Sequence, residues 1–396
     1  MNDLGQLVIL KLNEQRWSSS LECFLRRLLP GGVVIDAPLT GGGESAREFL
    51  IRLARVAPSV PLLALEEEGG ALDPLRAFLP PLPSPRAAAE KGLAAVTRLG
   101  GLVGAALQLL GFNTDFAPLL DLAPPASEKG SGEPVDNPDR GTPWPAPRRL
   151  WATGWRAPTG KAGATRVFSP DPHELAKYGA AFLSGLARHN VLACGKHFPG
   201  LGSAQSSRVP ERPMVAKSMA ELWREDLIPY RALLPRLPLV LLSTAAYKAY
   251  DFDLLQPAGL SPRVVEGLLR VKLGYNGVAI ACGLETEAVR GTLDLGEAAV
   301  QAVRAGCDAL LLEKAEVAEV VCEALTTARE SGKLPSPRLE QALKRLQLAK
   351  KTLKPPHGPM PRKSLDRLVR EFTKFSIEFA GCGNAENRKP KIENRQ

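Results

Sequence analysis

The 396-residue chain is poor in the residues that build metal, disulfide and redox chemistry. Only four histidines occur, at 173, 189, 197 and 357, and no spacing lets them converge on one ion, so no metal site is expected. Six cysteines (23, 194, 282, 307, 322 and 382) are scattered without a CxxC pair. That pattern excludes a zinc ribbon or a disulfide framework and fits free thiols in a reducing cytosol. No GxGxxG turn follows the first apolar strand, so no nucleotide cofactor is expected. No run approaches the ~20 apolar residues of a membrane span. Met1–Gly5 lacks the basic start of a signal peptide, and a cytoplasmic protein without a membrane partner is the expectation.

What is present is a globular composition, 44% hydrophobic and 23% charged, with 36 glycines and 35 prolines that imply many loops. The length suits one large barrel-type domain with appendages. The net charge of +9 is uneven: residues 351–396 hold 11 Lys/Arg against 5 Asp/Glu. A basic tail can touch nucleic acid, but no aromatic-interleaved motif accompanies it, so that partner is not expected. Oligomeric state is not legible.

Apolar runs of strand length alternate with helical segments throughout. The runs are Leu7–Leu12, Gly31–Ala37, Pro61–Leu65, Phe112–Leu122, Val191–Cys194, Leu237–Ser243, Gly277–Ala281 and Asp308–Leu312. Helices are expected at 44–56, 86–110, 172–189, 218–235, 261–272, 295–305 and 315–330, with further helices at 335–350 and 364–379. Eight strands with intervening helices predict an α/β protein, a TIM-type (β/α)8 barrel over 1–350, with a C-terminal helical and basic appendage at 351–396. Residues 124–165, rich in Pro, Gly and Arg with three Trp, form a long loop insertion on the ligand face. The last dozen residues are expected to be disordered.

The fifth run ends in Lys196-His197-Phe198-Pro199-Gly200, a cation and an imidazole at the strand end where barrel ligands bind. Glu66-Glu67-Glu68-Gly69-Gly70 follows strand three, and Gly111-Phe112-Asn113-Thr114-Asp115-Phe116-Ala117-Pro118 with Asp121 forms strand four. Arg166-Val167-Phe168-Ser169-Pro170-Asp171-Pro172, Leu260-Ser261-Pro262, Leu273–Val278 and Ala305–Leu310 follow in order. Together these pieces resemble the family 3 glycoside hydrolases, in particular their single-domain β-N-acetylhexosaminidase branch, over roughly residues 5–350.

The resemblance implies retaining hydrolysis: an Asp nucleophile ending strand seven and an Asp-His acid/base pair on the loop after the KHFPG stretch. It also implies that Glu66, Asp121, Arg166, Lys196 and His197 match sugar-contacting positions. Both catalytic halves depart from the pattern. Cys282 stands at the nucleophile position beside Gly283, Leu201 replaces the loop His, and Ser206-Ser207-Arg208 replaces the Asp-Ser-His triplet. Glu66 stands for an Asp, and Thr244 for the usual strand-six His. The expectation is a catalytically impaired relative that retains N-acetylhexosamine binding. These polar residues either hold a sugar, or Asp121, Arg166 and Lys196 satisfy one another as an internal network. One alternative is an active β-N-acetylhexosaminidase acting on carbohydrate or peptidoglycan fragments through displaced carboxylates, Glu285 foremost, with Glu287 and Glu211 also near. The second is a scaffold or nucleic-acid contact protein acting through the basic tail.

Overall fold

A computed structural model describes residues 3–13, 16–36, 39, 41–57, 59–122, 165–206, 213–290 and 293–380. The chain forms a closed barrel of eight parallel strands: β1 (Val8–Leu12), β2 (Gly32–Ile35), β3 (Leu62–Leu65), β4 (Thr114–Asp115), β5 (Leu192–Phe198), β8 (Leu239–Leu242), β10 (Val278–Ala281) and β11 (Ala309–Leu312). Register runs in step around the ring, with Leu10 beside Val33, Val33 beside Leu63 and Ile9 beside Leu311. Strands buried on both faces read as unbroken apolar runs, which is why these segments stand out in the sequence. The barrel fold is as expected.

Inside the barrel, Ile9, Leu62, Cys194, Leu239, Val278 and Ile280 pack into one apolar plug. The helices enclose the ring in a second, larger core. Three short strands absent from the sequence reading, β6 (Gln205–Ser206), β7 (Pro213–Val215) and β9 (Ala246–Tyr247), form a small sheet. It links the loops that follow β5 and β8.

The helix expected over 86–110 is two, Pro85–Glu90 and Leu93–Leu110, because Gly92 takes φ +97° between them. Leu93–Leu110 is also the one helix among the described residues long and apolar enough to span a bilayer, which the sequence reading did not anticipate. Half of it is buried, and it packs against helix Pro172–Ala187. Gly100 and Gly185 set that approach: a Cβ at Gly100 would sit 2.3 Å from the Phe182 carbonyl oxygen. At Gly185 it would sit 2.4 Å from that of Thr97.

The C-terminal helix Arg362–Ala380 buries Leu368, Phe372 and Phe375 in the same core as the barrel, and Arg98 lies over the Phe375 ring. The appendage therefore covers the barrel wall. The 124–165 insertion, apart from its final residue, and the last dozen residues lie outside the described residues.

Gly185→Ala should lose about 1–3 kcal/mol of stability, as overpacking against backbone does. A lowered urea midpoint at unchanged slope is the expected result.

Candidate functional site

All eight barrel strands send a residue or a following loop into one pocket at the C-terminal mouth. Its polar lining is Lys11 from β1, Glu66 after β3, His197 from β5, Thr244 and Cys282 after β8 and β10, and Glu313 after β11. Leu201, Phe116 and Leu311 supply apolar wall. The cavity is about 50 Å³, room for about three or four waters. Pockets that engulf whole ligands usually measure roughly 300–1,000 Å³.

Lys196, near the end of β5, has no exposed surface, so its ammonium must be paired. It meets Glu66 and, at 2.7 Å, Glu68. Arg166 grips Glu68 in a two-pronged pair, Nε to Oε2 at 2.8 Å and Nη2 to Oε1 at 2.9 Å. Burial alone would raise the Glu68 carboxyl, but Arg166 and Lys196 hold it down to about 2. Burial likewise disfavours charge on Lys196 and Arg166, yet the two glutamates keep both pKa values above their ordinary range. Two cations and two carboxylates thus cancel.

Asp121 holds the β5 turn. Its Oδ2 lies 2.8 Å from His197 Nδ1, while Oδ1 accepts the backbone N–H groups of His197 at 3.1 Å and Leu201 at 2.8 Å. That bond fixes Leu201 where the side chain closes the pocket. The chain then runs so close to strand four that a Cβ at Gly202 would fall 1.5 Å from the Leu122 carbonyl oxygen.

Of the five residues expected to contact sugar, Glu66 and His197 line the pocket, while Lys196 and Arg166 are ion-paired to Glu66 and Asp121 holds His197. Their partner Glu68 carried no role in the sequence reading, yet it closes the quartet. Lys11 was also missed. It is 4% exposed and bridges Asp36 at 3.2 Å and Glu313 at 3.1 Å across the mouth. A lone charge inside the apolar run Leu7–Leu12 was its only signal in the sequence.

Cys282 lines the same pocket. Its Sγ–H donates to the Leu242 carbonyl at 3.1 Å, and burial pushes the thiol far up, so it stays protonated at neutral pH. Glu285 is not on the pocket wall. Its Oε2 accepts the Glu313 N–H at 2.7 Å and its Oε1 the Lys314 N–H at 3.0 Å, which ties it to the loop after β11. The cause is geometric: three residues past the strand end, the chain has already turned toward its neighbour. The side chain of Glu287 and all of Glu211 lie outside the described residues.

Behind the mouth, Glu67 is fully buried and accepts N–H groups from Gly69 at 2.7 Å and Leu75 at 3.2 Å. Burial, with Asp73 and Asp115 nearby, raises its carboxyl well above the usual range. This cluster braces the β3 loop that presents Glu66 and Glu68.

The family profile described as "Glycosyl hydrolase family 3 N terminal domain" matches residues 156–349. A β-hexosaminidase of Tolumonas auensis is 30% identical over 293 residues, covering 72% of this chain and 76% of that protein. One from Pseudomonas aeruginosa is 29% identical over 286 residues, covering 72% and 75%. Among solved structures, the β-N-acetylglucosaminidase of Thermotoga maritima superposes with a TM-score of 0.72 at 25% identity, covering 89% of this chain and 68% of that one.

Glu68 gives the site a pH signature. Its folded pKa is about 2 against an ordinary 4.5, so its stabilisation is complete above about pH 4.5 and fades as pH falls toward 2. Glu68→Gln should cost about 3–5 kcal/mol at neutral pH, as breaking a buried ion pair does. The difference from wild type should shrink on acidification, and urea titrations at stepped pH will read it.

Proposed function

Since this chain belongs to glycosyl hydrolase family 3, in its β-hexosaminidase-like branch, we propose that it keeps the family's barrel-mouth carbohydrate pocket but not its bond cleavage. The observation that carries this reading is the protonated Cys282 thiol, turned onto the Leu242 carbonyl, at the position where the family resemblance implies a carboxylate nucleophile. Retaining cleavage needs two carboxyl groups about 5–5.5 Å apart, one to attack the anomeric carbon and one to shuttle the proton. The pocket's carboxylates, Glu66 and Glu313, are each engaged by a lysine. Residues 200–213 contain neither His nor Asp to protonate a leaving group.

A thiol does not replace the nucleophile here. Its reactive form is the thiolate, which burial suppresses, and no general base accompanies it among the described residues of the loop after β5. Asp121, Arg166, Lys196 and His197, with Glu66 in place of an Asp, stand where the resemblance implies sugar contacts, and Glu66 and His197 line the pocket, which supports retained recognition of a hexosamine. The narrow cavity limits it to part of a sugar ring.

One observation favours the opposite reading. Glu313 lines the same pocket as Cys282, and burial raises its pKa as a general acid would need. Incubation with p-nitrophenyl N-acetyl-β-glucosaminide separates the two. No release above the uncatalysed rate is expected; turnover abolished by Glu313→Gln or Glu66→Gln would replace the impaired reading with hydrolysis by displaced carboxylates. Cys282→Asp should raise the rate only with a dinitrophenyl glycoside, whose leaving group departs without protonation.

A further inference from the structure

The backbone around Leu201 is held on every side. The Leu201 N–H donates to Asp121 Oδ1 at 2.8 Å, and the Leu201 carbonyl accepts the Ala204 N–H at 3.0 Å. One residue earlier, the Gly200 carbonyl accepts the Tyr247 hydroxyl at 2.7 Å, and the Gly200 N–H donates to the His197 carbonyl at 2.8 Å. A Cβ at Gly200 would fall 2.6 Å from the Asp226 Cβ, and one at Gly202 would meet the Leu122 carbonyl oxygen. Two glycines packed against other chain segments thus bracket one leucine, and neither flank leaves room for its backbone to withdraw.

The leucine side chain turns into the barrel mouth. It is 1% exposed and packs in the core that encloses the ring, yet it also forms pocket wall with Phe116, Leu241 and Leu311. The space left is about 50 Å³, against the roughly 300–1,000 Å³ of cavities that engulf whole ligands. Further atoms at the mouth could only subtract from that volume, so the limit stands on the described residues alone. Leu241 and Leu311 belong to β8 and β11 and are fixed by the ring itself. Leu201 lies on a turn, so its side chain can change size without disturbing a strand.

From this clamped position we propose that Leu201 is the specificity-determining residue of the pocket. Its side chain holds the site to one edge of a hexosamine and keeps the rest of the ring outside. Because the backbone is pinned, the limit is set by side-chain volume and not by a moving segment. This deepens the carbohydrate-pocket reading and rests on it. No covalent step is involved.

The test is calorimetric titration of N-acetylglucosamine into the wild-type full chain and its Leu201→Ala and Leu201→Val variants. Leu201→Ala is expected to bind at least about tenfold more tightly than wild type, the effect of admitting one or two further ring carbons against an apolar wall. Leu201→Val, which removes one methylene, should shift affinity the same way by a smaller factor. It also provides the answer should Leu201→Ala fail to fold. Leu311 packs in the plug inside the barrel, so Leu311→Ala enlarges the floor and should give no comparable gain. Wild-type binding that neither Leu201 variant improves, or an equal gain from Leu311→Ala, overturns the proposal and leaves the carbohydrate reading standing. No binding by any of the four proteins overturns both.

Discussion

A lysine with no access to water must be neutralised where it stands, and Lys196 sets that requirement for the whole barrel mouth. Glu66 and Glu68 answer it from the loop after β3, and Glu68 then needs Arg166 because it serves two cations at once. Each member is held by another, so none can be removed singly without stranding a buried charge. Glu67 anchors the same loop from behind through backbone N–H groups. The electrostatics of the pocket and the shape of its rim are therefore one problem with one solution.

This interlocking holds the geometry of the barrel mouth whether or not a bond is cleaved there. Nucleophile and acid/base residues of a retaining glycosidase act on substrate and contribute little to holding the barrel closed. On the non-hydrolytic reading, Cys282 and Leu201 place weakly polar and apolar side chains at the pocket wall, where the protein interior accepts them readily. The quartet has a structural duty as well, because it satisfies the buried end of β5.

The fold was largely legible because most barrel strands are buried on both faces and so appear as apolar runs between turns, β4 (Thr114–Asp115) being the exception. What escaped was local. Gly92 breaks a helix that periodicity joins, since Ala- and Leu-rich pattern continues across it. The three-stranded sheet beside the mouth is built from pieces of two or three residues, too short for any period to register. In the site, motif order singled out Glu66, Asp121, Arg166, Lys196 and His197, of which Glu66 and His197 line the pocket. Lys11 and Glu313 were not found, because their pairing joins the first strand to the last and exists only once the barrel closes. Glu285 looked available by its distance along the chain; the backbone turn after β10 sends it to the neighbouring loop instead.

The contact at Gly202 bears on chemistry as much as on form. With no room for a Cβ beside the Leu122 carbonyl, and with the Leu201 N–H bound to Asp121, the loop after β5 follows a path that no single replacement can redirect. On the non-hydrolytic reading, a proton-shuttling side chain beside Gly202 requires the turn and its neighbour after β4 to change together, so packing and not percentage identity sets the distance to hydrolysis.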